Sequence, residues 1–572
     1  IYTRKDSDGD GIPDCVTDPD ASDDGGFTFS EGETCYPDDL VLKATGSYQE
    51  GQEYLFECTN SQTKEVFQKQ VAVNANKEIV LSGLSAGLYS IAVHSPLTGV
   101  VMYNQVAYVY PELTEWKGLS TDWNDWDNWT NGKPSGCTDV ILRKGLPYYP
   151  VLTEESACAN IHFEEGSYIQ HINYLTYDLA FVDMLLPGGT YTGITAPLQE
   201  TFSGDMFVNT GVNWSKENYF TTLAPDNYAE KRVSPIVYQA VWGTSQVWNV
   251  QDDKTPKTVE VLESGWTEDF NYLNYKHEPG KGINVRPGEE TDKSSYRLRF
   301  PKSYTQYSYC RPDGTPITNQ QETIERNESM IGKLVTDDSY CITCQTDKNG
   351  CVAIGNPYLS MLSVQSFFSE KQNNNVVSLT LDGKEYTGTN LASMEGARMY
   401  IKPAEAFIIK TNSVSQEITV KFSAKDTYDA SSSTSSRTTA GKKALYLQAQ
   451  SGGETTYASV WQYAGAGNGV NSKEDVAVMI DKKNMAAARV FTIAGNAALS
   501  IQSMNNLEKI PVGLIVNGKA NVKLKLHTQN AGWMGWKLVD TESGKSYSLA
   551  NGEVEINLGY TGSTLTRLYL QK

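Results

Sequence analysis

The sequence predicts an all-β chain of several domains, immunoglobulin-like and jelly-roll-like β-sandwiches behind an acidic N-terminal segment. Three observations carry that prediction. Short apolar runs of strand length recur along the chain, and no stretch outside short loops keeps a helical period. Tyrosine is abundant, 34 of 572 residues, and aromatic side chains suit a pleated, half-buried surface. Turn signals such as Pro279-Gly280 and Asn349-Gly350 separate the runs. A chain of 572 residues is too long for one core and should hold about three or four domains.

Residues 1–38 come first and are dominated by acids. Asp6, Asp8 and Asp10 alternate, and Gly11 then allows a sharp turn before Ile12, Pro13 and Asp14. Hard oxygen ligands at that spacing suit Ca²⁺, which takes six to eight oxygens. The start matches an EF-hand loop, but Thr17 stands where that loop needs Glu. Asp14 or Asp18 would close the shell instead, so the candidate ligand set is Asp6, Asp8, Asp10, Ile12, Asp14 and Asp18. Pro13 and the lack of a flanking helical pattern argue against a helix-loop-helix sensor. The motif D-x-D-x-D-G-x-x-D resembles the thrombospondin type 3 repeat. The resemblance implies a calcium-stabilised extracellular segment.

Residues 39–112 alternate short apolar runs with turns, as in Tyr54–Cys58, Val71–Val73 and Leu88–Val93, and read as a small immunoglobulin-like β-sandwich. Gly83-Leu84-Ser85-Ala86-Gly87 fits G-x-S-x-G, but a strand pattern follows it where a nucleophile elbow needs a helix. Residues 113–190 form a Trp-rich unit of short strands, with Trp116, Trp123, Trp126 and Trp129 close together. Exposed rings there would stack on sugars. Buried rings would instead cap the first coil of a β-structure, the preferred reading, because spacings of three do not put all rings on one strand face. Residues 191–425 read as a large β-sandwich, residues 426–442 as a Ser/Thr-rich linker, and residues 443–572 as a C-terminal β-sandwich. A hairpin is expected over Lys537–Tyr547, with Gly544 in the turn.

Nine cysteines cluster locally. The expected bridges are Cys15–Cys35 and Cys137–Cys158, each closing about twenty residues and worth roughly 3 kcal/mol. Cys310, Cys341, Cys344 and Cys351 would supply two more. Cys58 is left over as a buried strand thiol. A four-thiolate zinc site around Cys341 and Cys344 is the weaker alternative, since its second pair lacks the C-x-x-C spacing.

Several passages resemble the large adhesin-like surface proteins that Bacteroidota export by the type IX secretion system. The Trp116 to Trp129 passage looks like a W-x-G…W-x-x-x-x-N-W opening, and Cys137 through Cys158 looks like the strand unit that follows it. Gly355-Asn356-Pro357-Tyr358 and Pro403-Ala404-Glu405-Ala406-Phe407 look like two further motifs of the group, and Ile510 through Leu570 looks like its closing domain. The resemblance covers most of residues 113–572 and implies architecture, with no catalytic residue to carry over. The chain opens at Ile1 without a leader and ends at Lys572 without a separate sorting domain, which reads as a mature or excised part of a precursor.

The net charge is −20, and half of it sits in residues 1–40, where twelve acids stand against Arg4 and Lys5. No basic stripe exists to displace counterions, so nucleic acid is not an expected partner. No apolar run approaches 18 residues, so no transmembrane segment is expected. The five histidines fall in no metal spacing, and Glu164-Glu165 and Glu289-Glu290 are adjacent pairs that a strand would point to opposite faces. The expectation is a non-enzymatic protein, extracellular or on the outer cell surface, in an adhesive or envelope-structural role. It would contact a host or environmental ligand, protein or glycan, and bind Ca²⁺. A glycan-binding accessory using Trp123, Trp126 and Trp129 is the alternative, and a polysaccharide hydrolase with its site in residues 191–425 is the third class.

Overall fold

The computed structural model describes residues 27–572 apart from 47, 49, 97–98, 207, 210–231, 234–235, 249–257, 268–274, 290, 303–305, 309–322, 382–383, 389–397, 427–442, 472–474, 482–487 and 517. The described chain is almost wholly β. A single short α-helix, Val364–Ser369, stands among the described residues, and the Ser363 side chain caps it by accepting from the Ser366 amide. Among the described residues two compact units divide the chain, a first that ends at Asp183 and a second that starts at Met184 and runs to Lys572.

The first unit opens with a two-sheet sandwich. Its strands are β1 (Thr28–Phe29), β2 (Gly32–Cys35), β3 (Leu40–Thr45), β4 (Glu53–Asn60), β5 (Val66–Ala72), β6 (Glu78–Leu81), β7 (Gly87–His94) and β8 (Val101–Tyr110). One sheet is β1-β3-β6 and the other is β2-β8-β7-β4-β5. Strand β4 alternates Tyr54, Phe56 and Cys58 inward with half-exposed residues outward, which is the period a two-faced strand needs. The inward set joins Phe29, Leu40, Leu42, Ile79, Ile91 and Val109 in one core. The sandwich therefore begins at Thr28, inside the stretch that its acidity assigns to the calcium segment. Gly87 opens strand β7, so the G-x-S-x-G passage is a turn into a strand, and Ser85 bonds the Tyr89 hydroxyl at 2.8 Å.

A parallel coil follows. Strands β9 (Leu113–Glu115), β10 (Asp139–Leu142), β12 (Asn160–Phe163) and β14 (Leu179–Pro187) pair in parallel. Strands β11 (Ser156–Ala157) and β13 (Leu175–Thr176) form a second parallel face, and Val151 bridges Gln170 on a third. Val140, Ile161 and Ala180 stack in register, so successive coils take 21 and then 19 residues. This is a short β-solenoid. Its interior holds Val140, Leu142, Ile161 and Phe163, with His162 Nε2 3.1 Å from Asp183 Oδ2, both side chains fully enclosed.

In the second unit a four-stranded sheet orders Cys351–Gly355, Ala406–Thr411, Val376–Leu381 and Lys384–Tyr386. The C-terminal strands form a curled sheet whose two halves face one core. Leu445, Leu447, Val522 and Leu524 come from one half, and Val490, Val512, Leu538 and Leu570 from the other, around Trp533 and Trp536. Arg567 grips Asp540 at 2.9 and 3.0 Å inside it. Lys537–Asp540 and Lys545–Ser548 pair as the expected hairpin, with Gly544 at φ +67°. Middle and C-terminal strands share hydrogen bonds: Thr258–Thr267 pairs in parallel with Met479–Asp481.

Candidate functional site

The tryptophan passage folds over the open end of the first coil. Trp116, Trp123 and Trp129 are 1%, 2% and 0% exposed. They meet edge to face, Trp116 on Trp129 at 4.9 Å and Trp123 on Trp129 at 4.8 Å between centroids. Trp116 donates its indole N–H to Tyr148 O and Trp129 donates its own to Trp123 O, both at 2.8 Å. Asn128, wholly buried, ties the loop by donating to Ser120 Oγ and Asp122 O while accepting from the Ser120 amide. The N-W pair is thus a polar tie followed by a core ring. Trp123 and Trp129 present no face to a sugar, which corrects their place in the glycan-stacking set. The reason is the loop's closure, which turns both rings onto the coil's end.

Trp126 differs. It is half-buried, and its ring stacks on Tyr108 of β8 at 5.7 Å, while Tyr108 stacks on Tyr110 at 6.1 Å. Gly132 lies so close that an added Cβ would fall 2.4 Å from the ring. Gln62 of the sandwich also donates to Trp126 O at 3.3 Å. Trp126 therefore clamps solenoid to sandwich. Tyr110 donates to Glu33 at 3.0 Å, and burial together with that carboxylate pushes its hydroxyl up to about 12.

The bridge beside this clamp is Cys35–Cys137, 102 residues apart in sequence with Cα atoms 6.2 Å apart. It replaces the local pairs expected from spacing. Topology explains it: β2 runs parallel to β8 with Cys35 opposite Tyr110, and β9, just beyond Tyr110, pairs with β10, which starts two residues after Cys137. Cys158 is then a free thiol inside the solenoid, and burial pushes its pKa up. Cys341, Cys344 and Cys351 are also free. Cys341 and Cys344 lie three apart on the strand Ser339–Gln345, so they face opposite ways and cannot bridge each other or share a metal. Burial pushes Cys344 up to about 11 and Cys351 up to about 12, so both stay thiols. Cys15, Cys310 and the calcium candidates Asp6, Asp8, Asp10, Ile12, Asp14 and Asp18 lie outside the described residues. Among the described residues no three His, Cys, Asp or Glu side chains are grouped to hold a metal ion, and no helix is long and apolar enough to cross a membrane.

A buried polar centre lies in the second unit, at the strand pair Thr201–Phe202 and Lys276–His277. Asp205 pairs with Arg326 at 2.6 Å, both enclosed, and also accepts the Phe202 amide at 2.9 Å. Glu200 pairs with Lys276 at 2.7 Å, and Ser203 Oγ meets His277 Nε2 at 2.8 Å. A Ser–His contact invites a nucleophile reading. Burial, however, pushes His277 down to about 3, so the imidazole holds an added proton too weakly to serve as general base at neutral pH. Ser203 is itself 3% exposed. The pair is a satisfied hydrogen bond within a packed centre. No sequence spacing announces this cluster, because its members come from positions 200–205, 276–277 and 326.

Two motifs that are distant in sequence meet in this unit. Asn356, fully buried, donates to Ser360 O, Ile401 O and Lys402 O, and its amide nitrogen bonds Glu405 O. G-N-P-Y and P-x-x-A-F are thus the two halves of one tie. No protein-family model matches the chain, and no curated protein matches it.

Proposed function

We propose that this chain is a non-enzymatic, extracellular or cell-surface protein with an adhesive or envelope-structural role, in which the first unit acts as a stiff spacer behind a calcium-braced segment. The observation that carries the reading is the Cys35–Cys137 bridge, which staples sandwich to solenoid beside the Trp126 clamp. A structural disulfide of this kind persists in oxidising surroundings, which favours export. The resemblance to type IX secretion cargo of Bacteroidota agrees with that compartment. Burial of Trp123 and Trp129 argues against the glycan-stacking alternative.

The test uses beads coated with the full chain. They should adhere to a surface ligand, protein or glycan, while a panel of polysaccharides is left uncut. Turnover with release of reducing sugar would overturn the non-enzymatic reading. Recovery of Cys35 and Cys137 as free thiols from the producing cell would overturn the assigned compartment.

A further inference from the structure

In the second unit, the edge strand Lys384–Tyr386 of the four-stranded sheet meets the C-terminal strands through a buried carboxyl. Glu385 Oε2 lies 2.5 Å from Ser500 Oγ, and that same Oγ lies 3.2 Å from Val476 O. Both Glu385 and Ser500 are 6% exposed. A hydroxyl carries one proton, and a main-chain carbonyl has none to give. With Glu385 ionised, two acceptors compete for the single Ser500 proton, and one close approach lacks a hydrogen. With Glu385 protonated, the carboxyl donates to Oγ and Oγ donates to Val476 O, so both approaches are hydrogen bonds.

We propose that Glu385 is a proton-operated latch, which docks the strand Lys384–Tyr386 onto the C-terminal strands when protonated and loosens it when ionised. The surroundings agree. Burial pushes Glu385 up to about 7, against the opposing pull of Ser500, Lys410 and Arg489. Lys410 faces it from Ala406–Thr411 and Arg489 from Arg489–Ala494. Cys351, on the opposite edge strand Cys351–Gly355 of that sheet, is a neutral thiol. Lys384, on the same strand as Glu385, sits 4.1 Å over the Tyr457 ring. Asp475, next to Val476, accepts from the amides of Asn471 and Ser503. The folded form holds its proton more tightly than an ordinary glutamate. The docking is therefore complete below the ordinary value of 4.5 and is lost as pH rises through about 7.

Hydrogen–deuterium exchange on the intact chain at pH 5 and pH 8, corrected for intrinsic rates, tests this. Protection across Val376–Leu381 and Ala497–Met504 should fall roughly 50-fold in the wild type. Glu385→Gln keeps a donor toward Ser500 at both pH values and should hold protection flat. Ser500→Ala should lower protection already at pH 5. The latch is overturned if Glu385→Gln loses protection with pH as the wild type does, if the wild type does not change, or if Ser500→Ala matches the wild type at pH 5.

Discussion

The two units solve the same problem, joining one β-module to another, with opposite chemistry. In the first, sandwich and solenoid are held by a covalent bond and by stacked rings: Cys35–Cys137, and Trp126 on Tyr108. Neither changes charge near neutrality. In the second, the middle strands meet the C-terminal ones through shared main-chain bonds, as at Leu262 and Met479, and through buried ionisable groups such as Glu385. The first joint answers to reductant and the second to protons. The difference shows that stiffness can be set by unlike chemistry within one all-β chain.

Reduction should break the first joint most severely. Cys35→Ser with Cys137→Ser removes a cross-link worth about 4–5 kcal/mol by loop entropy. Calorimetry should then show the first unit's transition lowered by roughly 8–20 °C, with the second unit's unmoved. The second unit has its own weak point in Arg567, which Asp540→Ala leaves buried without its bidentate carboxylate. Denaturant unfolding should register a loss of about 3 kcal/mol confined to that unit. Trp126→Ala should cost the first unit about 1–2 kcal/mol. A double-mutant cycle with the cysteine pair should reveal coupling of at least about 0.5 kcal/mol, whereas additive effects would mean that clamp and staple act separately. Between pH 5 and 8 the second unit loses the Glu385 contribution but regains that of buried His277, so the wild-type transition should move little while Glu385→Gln should make it rise with pH. The smallest expected effect is from chelation: EDTA should shift the first unit's transition by a few degrees, and an unmoved transition would count against the calcium segment.

What could be read from sequence was local. Strand alternation in Tyr54–Cys58, the turn at Gly544 and the strand after Gly87 all follow from neighbours in the chain, and the fold class follows from them. The tryptophans were half legible. Their spacing spoke against a flat platform, but only the folded loop separates Trp126, stacked on Tyr108, from three rings in the core. The disulfide was illegible because proximity in sequence favoured short loops, while Cys35 and Cys137 are brought together by β2 lying along β8. Glu385 gave no signal either, since its burial depends on strands more than a hundred residues later.

The solenoid makes length a quantised property. Each added turn costs some 19 to 21 residues and advances the chain by about 4.8 Å. Duplicating one whole turn would extend the reach of whatever the protein carries, leaving the tryptophan lid at one end intact. Adding a single residue within β12 would instead rotate His162 away from Asp183 and exchange the side chains that its two buried faces present. Variation in span should therefore arrive in complete turns or not at all.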